Sequence, residues 1–203
     1  MQEVGYALAE SAGKRNTFVF AVGGNYFMEI AKLRAARQLW ARISKEPVVI
    51  WSRTSLANKS LYDPSANLMR CTTEAMSAIF GGCAYLIVEA ARFAQHLAES
   101  LPRVLGEESH FDQVSDPGGG SFYIEALTAS IAAEAWKVYE DGLAGRDAAI
   151  AAARAAKEKA VAQRKRTLVG EGFPSFRRNR IGRRPDPKQV DHHHFAVMIP
   201  ARA

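Results

Sequence analysis

Few residues in this chain have types and spacing that suggest chemistry. Gly118-Gly119-Gly120 precedes a helix and could offer backbone N–H groups to a phosphate. No Lys-Ser/Thr pair follows it, and the spacing is not that of a dinucleotide fingerprint, so a turn needing positive φ explains it better. His192-His193-His194 carries metal-binding groups, but adjacent positions rarely converge on one ion. His96 and His110 stand alone, and no Ser/His/Asp or Cys/His set accompanies them. Cys71 and Cys83 lack the close spacing of a thiolate metal site or redox pair, and two cysteines exclude a disulfide scaffold. Arg164-Lys165-Arg166 and Arg177-Arg178-Asn179-Arg180 could contact nucleic-acid phosphates. Only Phe173 and Phe176 lie nearby for base stacking, so a charged surface helix plus tail is the better reading. Residue types and spacing therefore expose no catalytic residue and no metal site.

The frame for these residues is a chain of 203 residues and 22.2 kDa, 48% of it apolar. That is ordinary globular composition with enough length for a core. No apolar run approaches the ~20 residues needed to span a bilayer, so the expectation is a soluble protein of a reducing cytoplasm. The net charge of +6 is unevenly placed. Arg154 to Lys188 carries a local net of +9, and the remainder is mildly acidic.

The elements that must position any site follow from periodicity. Thr17 to Val22 is short, β-branched and aromatic, and Gly23-Gly24 stops it, so it reads as a buried strand. Asn25 is placed to cap a helix to about Ile43, with Phe27, Ile30, Leu33, Leu39 and Trp40 on one face. Arg34, Arg37 and Arg42 are left for the opposite side or a partner. Val48 to Trp51 is a second strand, followed by a polar loop from Ser52 to Asp63. Asp63 caps and Pro64 opens a helix striped by Leu68, Cys71, Ala75, Met76 and Ile79, ending at Gly81-Gly82. Cys83 to Val88 is a third strand, and a helix from about Ala90 to Gly106 follows. Phe111 to Val114 offers a short fourth strand. The turn Asp116 to Gly120 leads into a helix from Ser121 to Gly142, and a separate alanine-rich helix covers 148–162.

Strand–helix alternation of this kind implies a parallel sheet covered by helices. Three or four units are too few for a closed (β/α)8 barrel, so the pattern allows a small open α/β sheet or a piece of a larger barrel.

Four stretches resemble the acyl-CoA-binding barrel domain of the cobalamin-dependent methylmalonyl-CoA mutase family. They are Asn25 to Trp40, Asn58 to Ala75 with its Asn58-Lys59-Ser60-Leu61-Tyr62-Asp63-Pro64 opening, Asp116 to Glu125, and Arg164 to Gly170. They cover most of 17–170 in the family's order. The resemblance implies the C-terminal half of a TIM barrel over 1–145, a basic alanine-rich helix over 146–170 and an irregular tail over 171–203. It also implies shortened segments between Gly5 and Thr17 and between Val88 and Phe93.

The same resemblance implies carbon-skeleton isomerisation of methylmalonyl-CoA and succinyl-CoA, driven at the family level by adenosylcobalamin. Glu3 falls where catalytic members place a cobalamin-side glutamate. Those members carry an Arg-Thr-His-Ser run in the strand after the long helix; here Val49-Ile50-Trp51-Ser52 is followed by Arg53-Thr54-Ser55, the substrate-side candidates. The cobalt-ligating Asp-x-His-x-x-Gly motif has no counterpart. The Asn58-to-Pro64 signature resembles the small, non-catalytic subunit. The expectation is a chain inactive alone that partners a catalytic subunit in a heterodimer. Alternatives are a split-enzyme fragment completed by the missing barrel half, or a basic-tailed nucleic-acid-binding module.

Overall fold

The computed structural model describes residues 2–11, 15–60, 63–89, 95–111, 113–170 and 196–198. The fold is α/β. Strands β1 (Thr17–Val22), β2 (Val49–Thr54) and β3 (Tyr85–Ile87) lie in chain order and pair in parallel. Helix α2 (Tyr26–Ile43) connects the first two and α3 (Pro64–Phe80) the next two. Neighbouring strands joined by one helix each put both crossovers on the same side of the sheet, because such connections are right-handed.

Burial shows that side directly. Phe18, Phe20 and Val22 of β1, with Ile50 of β2 and Leu86 of β3, are buried under the helices. Phe18 meets the Trp40 ring edge-on at 5.3 Å, and Trp40 Nε1 donates to Glu46 O at 2.7 Å. The other face is uncovered among the described residues. Its rows are Val19, Trp51, Tyr85 and then Ala21, Arg53, Ile87, with Val19 61% exposed and the Trp51 and Tyr85 rings stacked at 4.3 Å. The sheet therefore has one packed face, whereas an apolar parallel strand is built for two.

α3 starts and stops as its punctuation predicts. Asp63 accepts from Ala66 N at 3.0 Å, Pro64 occupies the first turn, and Gly81 ends the helix. Gly82 has φ +76, and Arg37 of α2 donates to the carbonyls of Gly81 and Gly82, neutralising the negative end of α3. Asn25 stands before α2 but makes no side-chain cap; its backbone carbonyl accepts from Glu29 N instead.

Several elements differ from expectation. β2 runs on through Ser52, Arg53 and Thr54, because these polar residues still alternate between the two faces. No strand forms at Phe111; its ring packs on Phe80 at 4.8 Å, after α4 (Gln95–Arg103) and a π-helical turn at Val104–Glu108. The expected start of that helix at Ala90 lies outside the described residues. The two expected C-terminal helices are one, α5 (Phe122–Gly170), which runs on through Gly142 and Gly145 despite the low helix propensity of glycine. Ala196–Met198, in the stretch expected to be irregular, forms β4, antiparallel to β3.

Helix α1 (Gln2–Ser11) lies across the start of α5, with Val4 and Leu8 in the core beside Ile131 and Ala135. The crossing is close: a Cβ on Gly5 would meet Ala135 O at 2.5 Å. Only glycine fits there.

Candidate functional site

In α/β sheets ligands bind beyond the carboxyl ends of the strands. Three knots of side chains organise that end here. At β1, Gly23 N donates to Glu29 Oε1 at 3.1 Å. The largely buried Lys32 reaches back from α2: Nζ lies 2.6 Å from Ala21 O, 2.5 Å from Glu29 Oε2 and 3.2 Å from Glu3 Oε2. Glu3 is thus placed on α1 as an ion-pair partner of Lys32.

At β2 and β3, Arg53 Nε donates to Glu89 Oε1. Arg53 sits on the open face, level with Ala21 and Ile87. Its neighbours have other tasks. Thr54 is buried on the helix side, where its hydroxyl accepts from Glu89 N at 2.8 Å and lies near Cys71 Sγ. Ser55 N donates to Val22 O at 2.8 Å, and its hydroxyl accepts from Ala57 N. Of the three substrate-side candidates, the fold brings only Arg53 to the open face.

The third knot centres on Glu74 of α3. Lys59 Nζ lies 2.6 Å from each of its oxygens, Asn58 Nδ2 donates at 2.6 Å, and Ser55 N at 3.2 Å. The Glu74 side chain is 0% exposed and that of Lys59 5%. Beside it, buried Asn67 clasps Ser60, donating to its carbonyl and accepting from its N–H, both at 2.7 Å. The polar loop after β2 is therefore built around a carboxylate brought in by α3.

Chemically, these groups hold loops rather than reagents. Each of Lys32, Arg53 and Lys59 is paired with a carboxylate of the same chain. Burial raises the thiol pKa of Cys71, with the charge of nearby Lys59 opposing it; burial pushes Cys83 up to about 12. Both are neutral at pH 7 and poor nucleophiles. Among the described residues no three His, Cys, Asp or Glu side chains converge as metal ligands.

The triglycine turn is a scaffold. Gly119 N donates to Asp116 O at 3.1 Å, Gly120 N to Glu125 Oε1 at 3.3 Å and Ser121 N to Gly118 O at 3.3 Å, so these three turn amides are engaged within the chain. Gly120 alone of the three has positive φ, +78. Arg34 forks between Asp116 and Glu125, tying the turn to α2. His96 lies in α4, His110 has φ 55, and neither meets a nucleophile; His192 to His194 lie outside the described residues.

Lys32, Arg34, Glu74 and Glu89 escape a reading by periodicity, which assigns charges to solvent. For Lys32, Arg34 and Glu74 the usable signal was their membership in the stretches that carry the resemblance; Glu89 lies outside them.

The profile of the methylmalonyl-CoA mutase family matches residues 3–198. The chain belongs to that family. It is 37% identical over 221 aligned positions to the methylmalonyl-CoA mutase small subunit of Porphyromonas gingivalis, an alignment covering 86% of this chain and 36% of that protein. The probable methylmalonyl-CoA mutase small subunit of Mycobacterium bovis is 34% identical over 180 positions, covering 73% and 29%. The methylmalonyl-CoA mutase of Cereibacter sphaeroides is 39% identical over 144 positions, covering 63% and 20%. This mutase-family chain thus spans about a third or less of each of these relatives.

Proposed function

We propose that this chain is a non-catalytic, small-subunit-type component of a methylmalonyl-CoA mutase assembly, contributing barrel scaffold to a catalytic partner in the cytoplasm. The observation that carries this reading is the internal pairing of Lys32, Arg53 and Lys59 at the strand ends. An acyl-CoA brings several negative charges, and a site built for it keeps cations available to them. Here each strand-end cation of the three is already neutralised. The uncovered row Val19, Trp51, Tyr85 supports the scaffold role, since an apolar sheet face of this kind needs a second layer.

Adenosylcobalamin is the family's cofactor. The residues of this chain do not fit the holding of it: Glu3 is engaged with Lys32, and the described part contains no converging ligand set. No step is assigned to it here.

The test is a reconstitution. The purified chain, given adenosylcobalamin and methylmalonyl-CoA, should form no succinyl-CoA above background, and it should co-purify with a co-expressed catalytic subunit. Turnover by the chain alone, or no association, overturns the proposal. The split-enzyme alternative is separated by Arg53→Ala in the reconstituted assembly. A scaffold tolerates this change with turnover within about twofold, whereas a substrate-binding arginine loses on the order of a hundredfold.

A further inference from the structure

The parallel trio of strands has two edges, and the chain covers part of each by itself. On the β1 side, Val22 O accepts from Ser55 N of the β2 loop, so alternation turns Ala21 outward. The outward carbonyl of Ala21 is taken by Lys32 Nζ at 2.6 Å. A charged side chain directed at an edge is a known device against unwanted strand addition.

The β3 side is covered differently. Ala84 N donates to Ile50 O of β2 at 2.8 Å, which turns Tyr85 and Ile87 the other way, toward β4. Those two residues are the ones opposite Met198 and Ala196 in the antiparallel register, so β4 meets the backbone groups an unpaired edge would expose. Phe195-Ala196-Val197-Met198-Ile199 is a continuous apolar, β-prone run after a stretch rich in Arg, Gly and Pro. The family match extends to Met198, through the whole of β4.

We infer that β4 is a resident cover of the β3 edge, filling in cis the position through which a second copy of this chain would otherwise pair. The half-buried Trp51 and Tyr85 rings beside exposed Val19 favour that cover, because an open strand edge beside an apolar face is a template for association. The inference concerns the chain alone and stands apart from the mutase reading, although any partner strand joining at β3 must displace β4.

The experiment compares the full chain with a double variant, Ala196→Pro with Met198→Pro, which deletes the two N–H groups facing β3. Val197→Thr, which keeps the backbone intact, is the control. Residue-resolved hydrogen exchange should show the Tyr85 and Ile87 amides at least ~10-fold faster in the proline variant, with amides in β1 unchanged. Light scattering across a concentration series should show a monomer for the native chain and the control, and self-association for the proline variant. Unchanged exchange at Tyr85 and Ile87 overturns the inference. So does faster exchange without any rise in mass, or a native chain that already dimerises.

Discussion

Lys59 and Glu74 form a buried ion pair in which one ammonium nitrogen sits 2.6 Å from both carboxylate oxygens. The pair sits at the heart of the Asn58-to-Pro64 signature, so the most distinctive loop of the sequence owes its shape to a charge supplied by the next helix. Two further donors, Asn58 Nδ2 and Ser55 N, complete the shell of Glu74.

Removing one partner leaves a buried charge with nothing to balance it. Lys59→Met should therefore destabilise the fold by about 3–5 kcal/mol. The joint replacement Lys59→Met with Glu74→Leu removes both charges but takes the Asn58 Nδ2 donor's acceptor away, while Ser55 N keeps its bond to Val22 O. It should cost less than the single change, roughly 1–3 kcal/mol. Urea denaturation midpoints of the three proteins check the order; a double variant that loses as much as Lys59→Met or more would overturn it.

Arg34 holds the triglycine turn by two carboxylates that are themselves half exposed. Arg34→Ala should cost about 1–2 kcal/mol, below the figure for a sealed pair because water partly replaces the lost bonds. Arg34→Lys should recover little, since the two carboxylates are held by two separate guanidinium nitrogens, a planar fork that lysine lacks. Thermal unfolding measures the first, and faster exchange of the Gly120 amide in both variants reports the second.

Both thiols are sealed, and Cys83 carries the larger consequence for pH. Its thiol ionises near 9.0 in the unfolded chain and at about 12 in the fold. Between those values the unfolded chain has released a proton that the folded chain retains, so stability falls as pH rises from about 9 to 12 and is unaffected below that window. Cys83→Ala should flatten that alkaline slope in denaturation curves taken from pH 8 to 11. At pH 7.5 a thiol reagent should modify native Cys71 and Cys83 roughly a hundredfold more slowly than the unfolded chain.

The strands and the capped helix were legible from residue order because their signals are local. Thr17 to Val22 is β-branched and aromatic and stopped by Gly23-Gly24, and Asp63-Pro64 announces a helix start without reference to anything distant. The site knots were not. Lys32 and Glu3 are partners from different helices, as are Arg34 and Asp116 from a helix and a turn, and nothing in their spacing marks them as inward-facing. Periodicity counts apolar residues, so a helix stripe that includes Asn67, Glu74 and Ser77 looks narrower than it is. The strand at Ala196 was hidden by its surroundings: its three apolar residues follow a run whose composition signals irregular chain.

The contact of Gly5 with Ala135 has a consequence for the order in which the chain is made. α1 leaves the ribosome about 130 residues before the helix it must cross, a delay of roughly ten seconds at ordinary elongation rates. During that interval Val4 and Leu8 have no partner from α5, while β1, β2 and β3 have already been synthesised. A contact this distant in sequence raises the contact order of the fold and slows folding, with α1 docking late.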